Sequence, residues 1–189
     1  MSDIHIRPAT TDDAAFTLAL SDIASYGLVE QIFRPLVPEG ETLQGFLLAR
    51  VADPASKLSW TRCHIAEISG ERVGYVSLDP IPLDPDPLDD DLPTMFRPLA
   101  ELEAMAPGTT VIEFIATLPV ARGKGAGSAL LKQAFRQRGP KGLSLIVLDS
   151  NTNARRLYEA AGFVEKARRP VIKDSWQIDA TEWVLMTHP

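Results

Sequence analysis

Between Leu118 and Leu131 the chain reads LPVARGKGAGSALL, with glycines at the alternate positions Gly123, Gly125 and Gly127. A β-rich run, VIEFIATL, stands before it and an apolar periodic run follows it. Leu130, Leu131, Ala134 and Phe135 fall at i, i+1, i+4 and i+5, one face of a helix, with Gly139 expected as its stop. The stretch therefore predicts a strand, a tight glycine turn and a helix in immediate succession. A helix opened by such a turn offers free N–H groups to an anion. Glycine also lets that anion come close, because no Cβ stands in the way. Two familiar phosphate loops do not fit. A P-loop needs Ser or Thr after its Gly-Lys pair, and here Gly125 follows Gly123-Lys124. A dinucleotide fingerprint would place its third glycine where Leu130 stands, and Asp149 only weakly echoes the ribose-binding acid.

The rest of the chain supplies a mixed α/β frame. DIHIRPA alternates as a short strand, and Thr10 or Thr11 with Asp12 and Asp13 starts a helix over AAFTLALSDIASYG. LVEQIF and ETLQGFLLARVA read as helices; WTRCHIAEI and RVGYVSLD read as a hairpin around Ser69-Gly70. Asp79–Pro93 holds six Asp and five Pro and reads as a loop. A helix around Pro98, the strand LSLIVLDS, a helix over NARRLYEAAG, an extended piece from Phe163 and a last strand ATEWVLMTH complete the order. At 189 residues, with no repeat and no evident linker, a single domain over 1–189 is expected. Its class is α/β, with helices on both faces of a mixed sheet.

Charge is unevenly placed. Ala121–Lys173 carries twelve of the 19 Lys and Arg against three carboxylates, about +9, which leaves the remainder at about −15. The net −6 argues against nucleic-acid binding, whereas a basic half beginning at a glycine loop suits a polyphosphorylated small ligand. The N-terminus lacks the pattern of a signal peptide and no apolar run is long enough to span a bilayer, so a cytoplasmic protein without membrane attachment is expected. Cys63 is the single cysteine and nothing marks it as reactive. His5, His64 and His188 lack ligand spacing, so no metal is expected.

Arg122-x-x-Gly125-x-Gly127, placed between a strand and a helix, resembles the acetyl-CoA motif of the GNAT family of N-acetyltransferases. A second motif agrees: NTNARRLYEAAGFVE matches the family's Asn-x-x-Ala-x-x-x-Tyr-x-x-x-Gly-Phe at Asn151, Ala154, Tyr158, Gly162 and Phe163. The resemblance covers about Val111 to Glu165. It implies a mostly antiparallel central sheet and acetyl-CoA as cosubstrate. The acceptor would be a small-molecule or peptide amine that attacks directly in a ternary complex. Dimers are common in the family, so a homodimer is left open. A non-catalytic acyl-CoA-binding or regulatory module on the same fold is the alternative.

Carried onto this sequence, the resemblance has the N–H groups of Gly123, Lys124, Gly125, Ala126 and Gly127 wrap the coenzyme A pyrophosphate. Arg122 and Lys124 add charge, and Ser128 sits in the first helical turn. Main-chain groups around Ile115, Ala116, Thr117 and Leu118 would pair with pantetheine, where the family's strands splay apart. Asn151, Ala154 and Tyr158 would also belong to the cofactor site, with Tyr158 the general acid to the departing thiolate. For the base, Glu113 stands six residues before Pro119, matching a glutamate that some members use through water; others place it at the position of Val111. Glu113 is expected to be buried in an apolar run, with Asp149 or solvent as alternatives. The acidic loop Asp79–Pro93 is expected either to draw a cationic acceptor or to be a solvated excursion.

Overall fold

The alternation of Ile4–Pro8 sets the first strand, β1, which lies at one edge of a seven-stranded sheet. The computed structural model describes residues 4–174 and 176–189; Asp3, at the start of the expected first strand, lies outside them. The further strands are β2 (Cys63–Ile68), β3 (Glu71–Pro80), β4 (Thr110–Thr117), β5 (Leu143–Leu148), β6 (Val164–Pro170) and β7 (Glu182–His188), in spatial order β1-β2-β3-β4-β5-β7-β6. β1/β2, β2/β3, β5/β7 and β6/β7 pair antiparallel, and β4/β5 pair parallel. The sheet is thus mixed and mostly antiparallel, flanked by helices, as the sequence predicts. Among the described residues no helix is long and apolar enough to cross a membrane.

The chain forms two compact units. One comprises the described residues up to Leu78 together with Phe114–Arg136; the other comprises Asp79–Glu113 together with Gln137–Pro189. In the first, α1 (Ala14–Ala24), α2 (Leu28–Phe33) and α3 (Leu43–Ala52) pack on one another around Ala14, Leu18, Val29, Leu47 and Val51. A neighbouring cluster of Ala9, Leu20, Cys63, Ile65 and Tyr75 lies against Phe16, Trp60 and Phe114. α5 (Ala126–Arg136) buries Ala126, Leu130, Leu131 and Ala134 and packs against β1 and β2. The periodicity thus set the right face. In the second unit α4 (Arg97–Ala104), with Pro98 in its first turn, packs against β5, β6 and β7, and α6 spans Thr152–Ala160.

Several boundaries depart from the sequence reading, and three of them have a local reason. Trp60–Arg62 forms a 3-10 turn instead of the start of β2, because Ser59 Oγ accepts the Thr61 N–H at 3.2 Å and closes a local turn. β3 runs two residues into the Pro/Asp-rich stretch; Pro80 is tolerated as its last residue, where no ladder N–H is required. α5 ends at Arg136, and Gly139 is instead bridged to Gly142 beside the Gly108 carbonyl.

Asp13 departs further from its expected role as a simple helix-start acid. It is 1% exposed and closes a 3-10 turn (Thr11–Asp13) by accepting the Thr10 N–H at 2.8 Å. It also accepts two bonds from Arg7 of β1, at 2.7 and 3.0 Å, and one from Arg72 of β3 at 3.2 Å. The Arg7 bonds outweigh burial and hold its carboxyl far below the usual carboxylate range. A depressed value contributes stability above the unfolded carboxyl pKa, and that stability is lost as pH falls below about 4. Removing one partner of a buried pair costs about 3 kcal/mol or more. Asp13→Ala should therefore lower the urea midpoint sharply at pH 7 and flatten the acid limb of stability between about pH 4 and 2. An unchanged midpoint at pH 7 would show that the cluster contributes nothing net.

Candidate active site

The end of β4 is tied to β3 by the Leu118 N–H, which donates to the Val73 carbonyl at 2.8 Å. Ile115, Ala116, Thr117 and Leu118 are all half-buried. Gly74 makes their close approach to β3 feasible: a Cβ there would stand 2.5 Å from the Ala116 carbonyl and 3.0 Å from Thr117 Cγ2. The sequence reading did not single out Gly74. The signal was present, since an isolated glycine within a strand run such as RVGYVSLD marks a close backbone approach.

After Leu118 the chain turns through a 3-10 segment, Pro119–Ala121, which buries Ala121. The Arg122 N–H donates to the Pro119 carbonyl at 3.2 Å and the Lys124 N–H to that of Ala121 at 3.3 Å. Gly123 and Gly125 then adopt φ of 73° and 90°, the left-handed region that other residues enter only with strain. The Ala129 N–H reaches back to the Gly125 carbonyl at 3.0 Å, so the N–H groups of Ala126, Gly127 and Ser128 come before that first helical bond. A Cβ on Gly123 or Gly127 would meet nothing within 4 Å, and Arg122 and Lys124 are exposed. The helix is eleven residues long, so its dipole adds partial positive charge at this end. The product is an open, positively biased row of donors suited to adjacent phosphates.

The other motif residues belong to the second unit. Asn151 caps α6, its side-chain oxygen accepting the Ala154 N–H at 3.3 Å, and Ala154 is half-buried. Tyr158 is the buried residue of this otherwise polar helix. Its carbonyl accepts the Ala161 and Phe163 N–H groups, both at 3.0 Å, where the helix stops. Burial raises its phenol above the ordinary tyrosine range, so at neutral pH it is fully protonated.

The candidate bases look different from the sequence expectation. Glu113 is exposed, not buried, so the argument from the cost of a buried carboxylate does not apply to it. Period two along β4 places it on the same side as Val111, yet Val111 is 4% exposed while Glu113 reaches solvent, although Phe114 beside it still packs against the core. Asp149 is occupied as a structural acceptor. Burial would raise it, but the Thr181 hydroxyl at 2.6 Å, with the Thr181, Glu182 and Ser150 backbone, holds it below the ordinary range. In the first unit Cys63 is 4% exposed and its Sγ lies 3.6 Å from the Ser59 carbonyl. Burial pushes its thiol up to about 11, far from a thiolate at neutral pH. Among the described residues no group of three or more His, Cys, Asp or Glu could hold a metal ion.

The profile of the Acetyltransferase (GNAT) family matches residues 28–163, a span that includes the glycine loop and the whole of α6. No curated protein matches the sequence. Among solved structures, an acetyltransferase is 20% identical with a TM-score of 0.64, covering 96% of this chain and 97% of its own. An N-acetyltransferase from Staphylococcus aureus Mu50 is 16% identical with a TM-score of 0.60, covering 97% and 100%. A GNAT-family acetyltransferase from Bacillus cereus is 13% identical with a TM-score of 0.58, covering 98% and 96%. At such identities the likeness is one of fold, and the fold agrees with the profile. The chain belongs to the GNAT family of acetyltransferases.

Proposed function

We propose that the protein is an acetyl-CoA-dependent N-acetyltransferase, its two units acting as one domain and its acceptor the amine of a small molecule or peptide. The observation that carries this reading is the donor row at the start of α5, with left-handed Gly123 and Gly125 and open space beside Gly123 and Gly127. These residues fit coenzyme A: the N–H groups of Gly123 and of Gly125 to Ser128 would hold its pyrophosphate, the Lys124 N–H being engaged by the Ala121 carbonyl, and the side chains of Arg122 and Lys124 would meet its remaining charge. Ile115–Leu118 would offer main-chain groups to pantetheine, as in the family. When bound, acetyl-CoA supplies an activated acetyl thioester.

The chain's own residues then have three tasks. Asn151 and Ala154 fix the first turn of α6, and so the height at which Tyr158 stands. Tyr158 holds a proton on its phenol for the departing sulfur; its raised pKa keeps that proton in place across the working range. Glu113, exposed on β4, removes the proton of the amine through water. Asp149 is not favoured as base, because its oxygens already accept from Thr181. The protonated, buried Cys63 supports direct attack by the amine over a covalent acetyl-enzyme.

Gly125→Val places a β-branched residue at a φ of 90°, where its Cβ would stand 3.4 Å from Ile4 Cδ1, so the turn that aims the donor row must shift. Its coenzyme A affinity, measured by calorimetry, should fall at least about tenfold while circular dichroism stays native. A folded variant with undiminished affinity refutes the loop assignment.

Tyr158→Phe should lower kcat and kcat/KM together, by about 10²-fold or more, with acetyl-CoA affinity unchanged. In the wild type, the same raised phenol predicts no loss of rate from deprotonation of this acid up to about pH 10. Thiol release across a panel of spermidine, lysine amide, an aminoglycoside and a tripeptide N-terminus would measure both and identify the acceptor class. Full turnover by the Phe variant removes Tyr158 from the chemistry.

A further inference from the structure

Tyr158 is held on its inner side by aromatic contact, and the contact continues one ring further. Its ring centroid lies 5.7 Å from that of Phe163, the planes tilted by 58°. Phe163 is 2% exposed and meets the His188 ring edge-on, at 5.5 Å and 61°. His188 also rests on the backbone at Gly162: a Cβ there would lie 3.1 Å from both its Cδ2 and its Nε2. Gly162 has a φ of 94° and directly follows the end of α6, so the space it leaves is filled by the imidazole. The ring itself is fixed from behind. His188 is the last residue of β7 and sits opposite Leu143 of β5, and its Nδ1 is 2.7 Å from the Pro189 carbonyl oxygen.

We infer that His188 is a positioning residue for Tyr158: its ring, in edge contact with Phe163, holds Phe163 against the Tyr158 ring and so sets where that ring and its phenol stand. The inference rests on the general-acid reading of Tyr158 and names a residue outside both sequence motifs. An aromatic edge suits the task, because the electropositive rim of one ring favours the electron-rich face of the next and fixes an angle as well as a distance. An aliphatic side chain of similar size would fill the space without fixing that angle. Tyr158 is the buried residue of α6 and meets Phe163 ring to ring, and Phe163 meets His188, so a change at His188 is passed on to the tyrosine through one intervening ring. Small misplacements of a reacting group are costly, up to about 10²-fold for 1 Å.

The experiment compares His188→Leu, which keeps the volume, with His188→Phe, which keeps the aromatic edge. The chain has three tyrosines, Tyr26, Tyr75 and Tyr158, so ring-13C-labelled tyrosine gives three assignable signals without any substrate. In His188→Leu the Tyr158 signal should move while those of Tyr26 and Tyr75 stay. Thiol release with the best amine of the panel should lose about tenfold in kcat, with KM for acetyl-CoA within about twofold. His188→Phe should restore both the signal and most of the rate. A Tyr158 signal that does not move in His188→Leu overturns the inference, as does movement of all three signals together, which would report a general loosening. If the signal moves but Tyr158→Phe retains full turnover, the general-acid reading has failed and the catalytic meaning of the contact falls with it; the substrate-free signal tells these outcomes apart.

Discussion

A helix cannot satisfy its own first N–H groups, and the candidate site is built on that constraint. At the start of α5 the N–H groups of Ala126, Gly127 and Ser128 come before the first helical bond, beside two left-handed glycines, and they hold a useful direction only while α5 is held. β1 and β2 hold it, with Ile4 Cδ1 at 3.4 Å from where a Gly125 Cβ would be. β1 is held in turn by Arg7, bound to buried Asp13 and to Glu67 of β2 at 2.7 Å. Arg72 brings β3 to the same carboxylate. One buried acid thus ties β1 and β3 directly, and β2 through Arg7, so a stability defect at Asp13 would reach the candidate site from a distance.

The second unit solves a different problem. α6 is mostly polar and carries little apolar surface with which to dock itself. Its placement comes from its two ends, the Asn151 cap and the stop at Gly162, and from the single buried ring of Tyr158. Surface charge adds support: Arg155 pairs with Glu165 at 3.3 Å, and Arg168 joins Glu165 to Glu182. Such exposed pairs contribute little individually, so the aromatic contact is the larger determinant of where the tyrosine stands.

Both motifs were legible in the sequence because each is local. Gly123 and Gly125 take left-handed φ within one short turn, and Asn151 and left-handed Gly162 mark the two ends of one helix, so each pattern is complete within about a dozen residues of chain. What misled was inference about environment. Glu113 sits among apolar residues in sequence, but strand alternation alone does not say which positions along one face are covered. Asp149 looked available for chemistry until Thr181, more than thirty residues later, was found bonded to it. Gly74 was overlooked because its reason for being glycine lies on a different strand.

The sequence by itself determined the order of the elements, the glycine loop, the capped helix bearing Tyr158 and the family to which these belong. Those features follow from backbone conformation and short-range periodicity, which act over one or two turns. Only the tertiary structure decided that Asp13 anchors three strands, that Cys63 is a buried and inert thiol, that Glu113 reaches solvent, and that His188 stands behind Phe163. Burial, and with it pKa and ring contact, depends on residues brought together by the fold: Arg72, 59 positions from Asp13, and for Phe163 the His188 ring on a different strand. No local pattern in the chain encodes such distances.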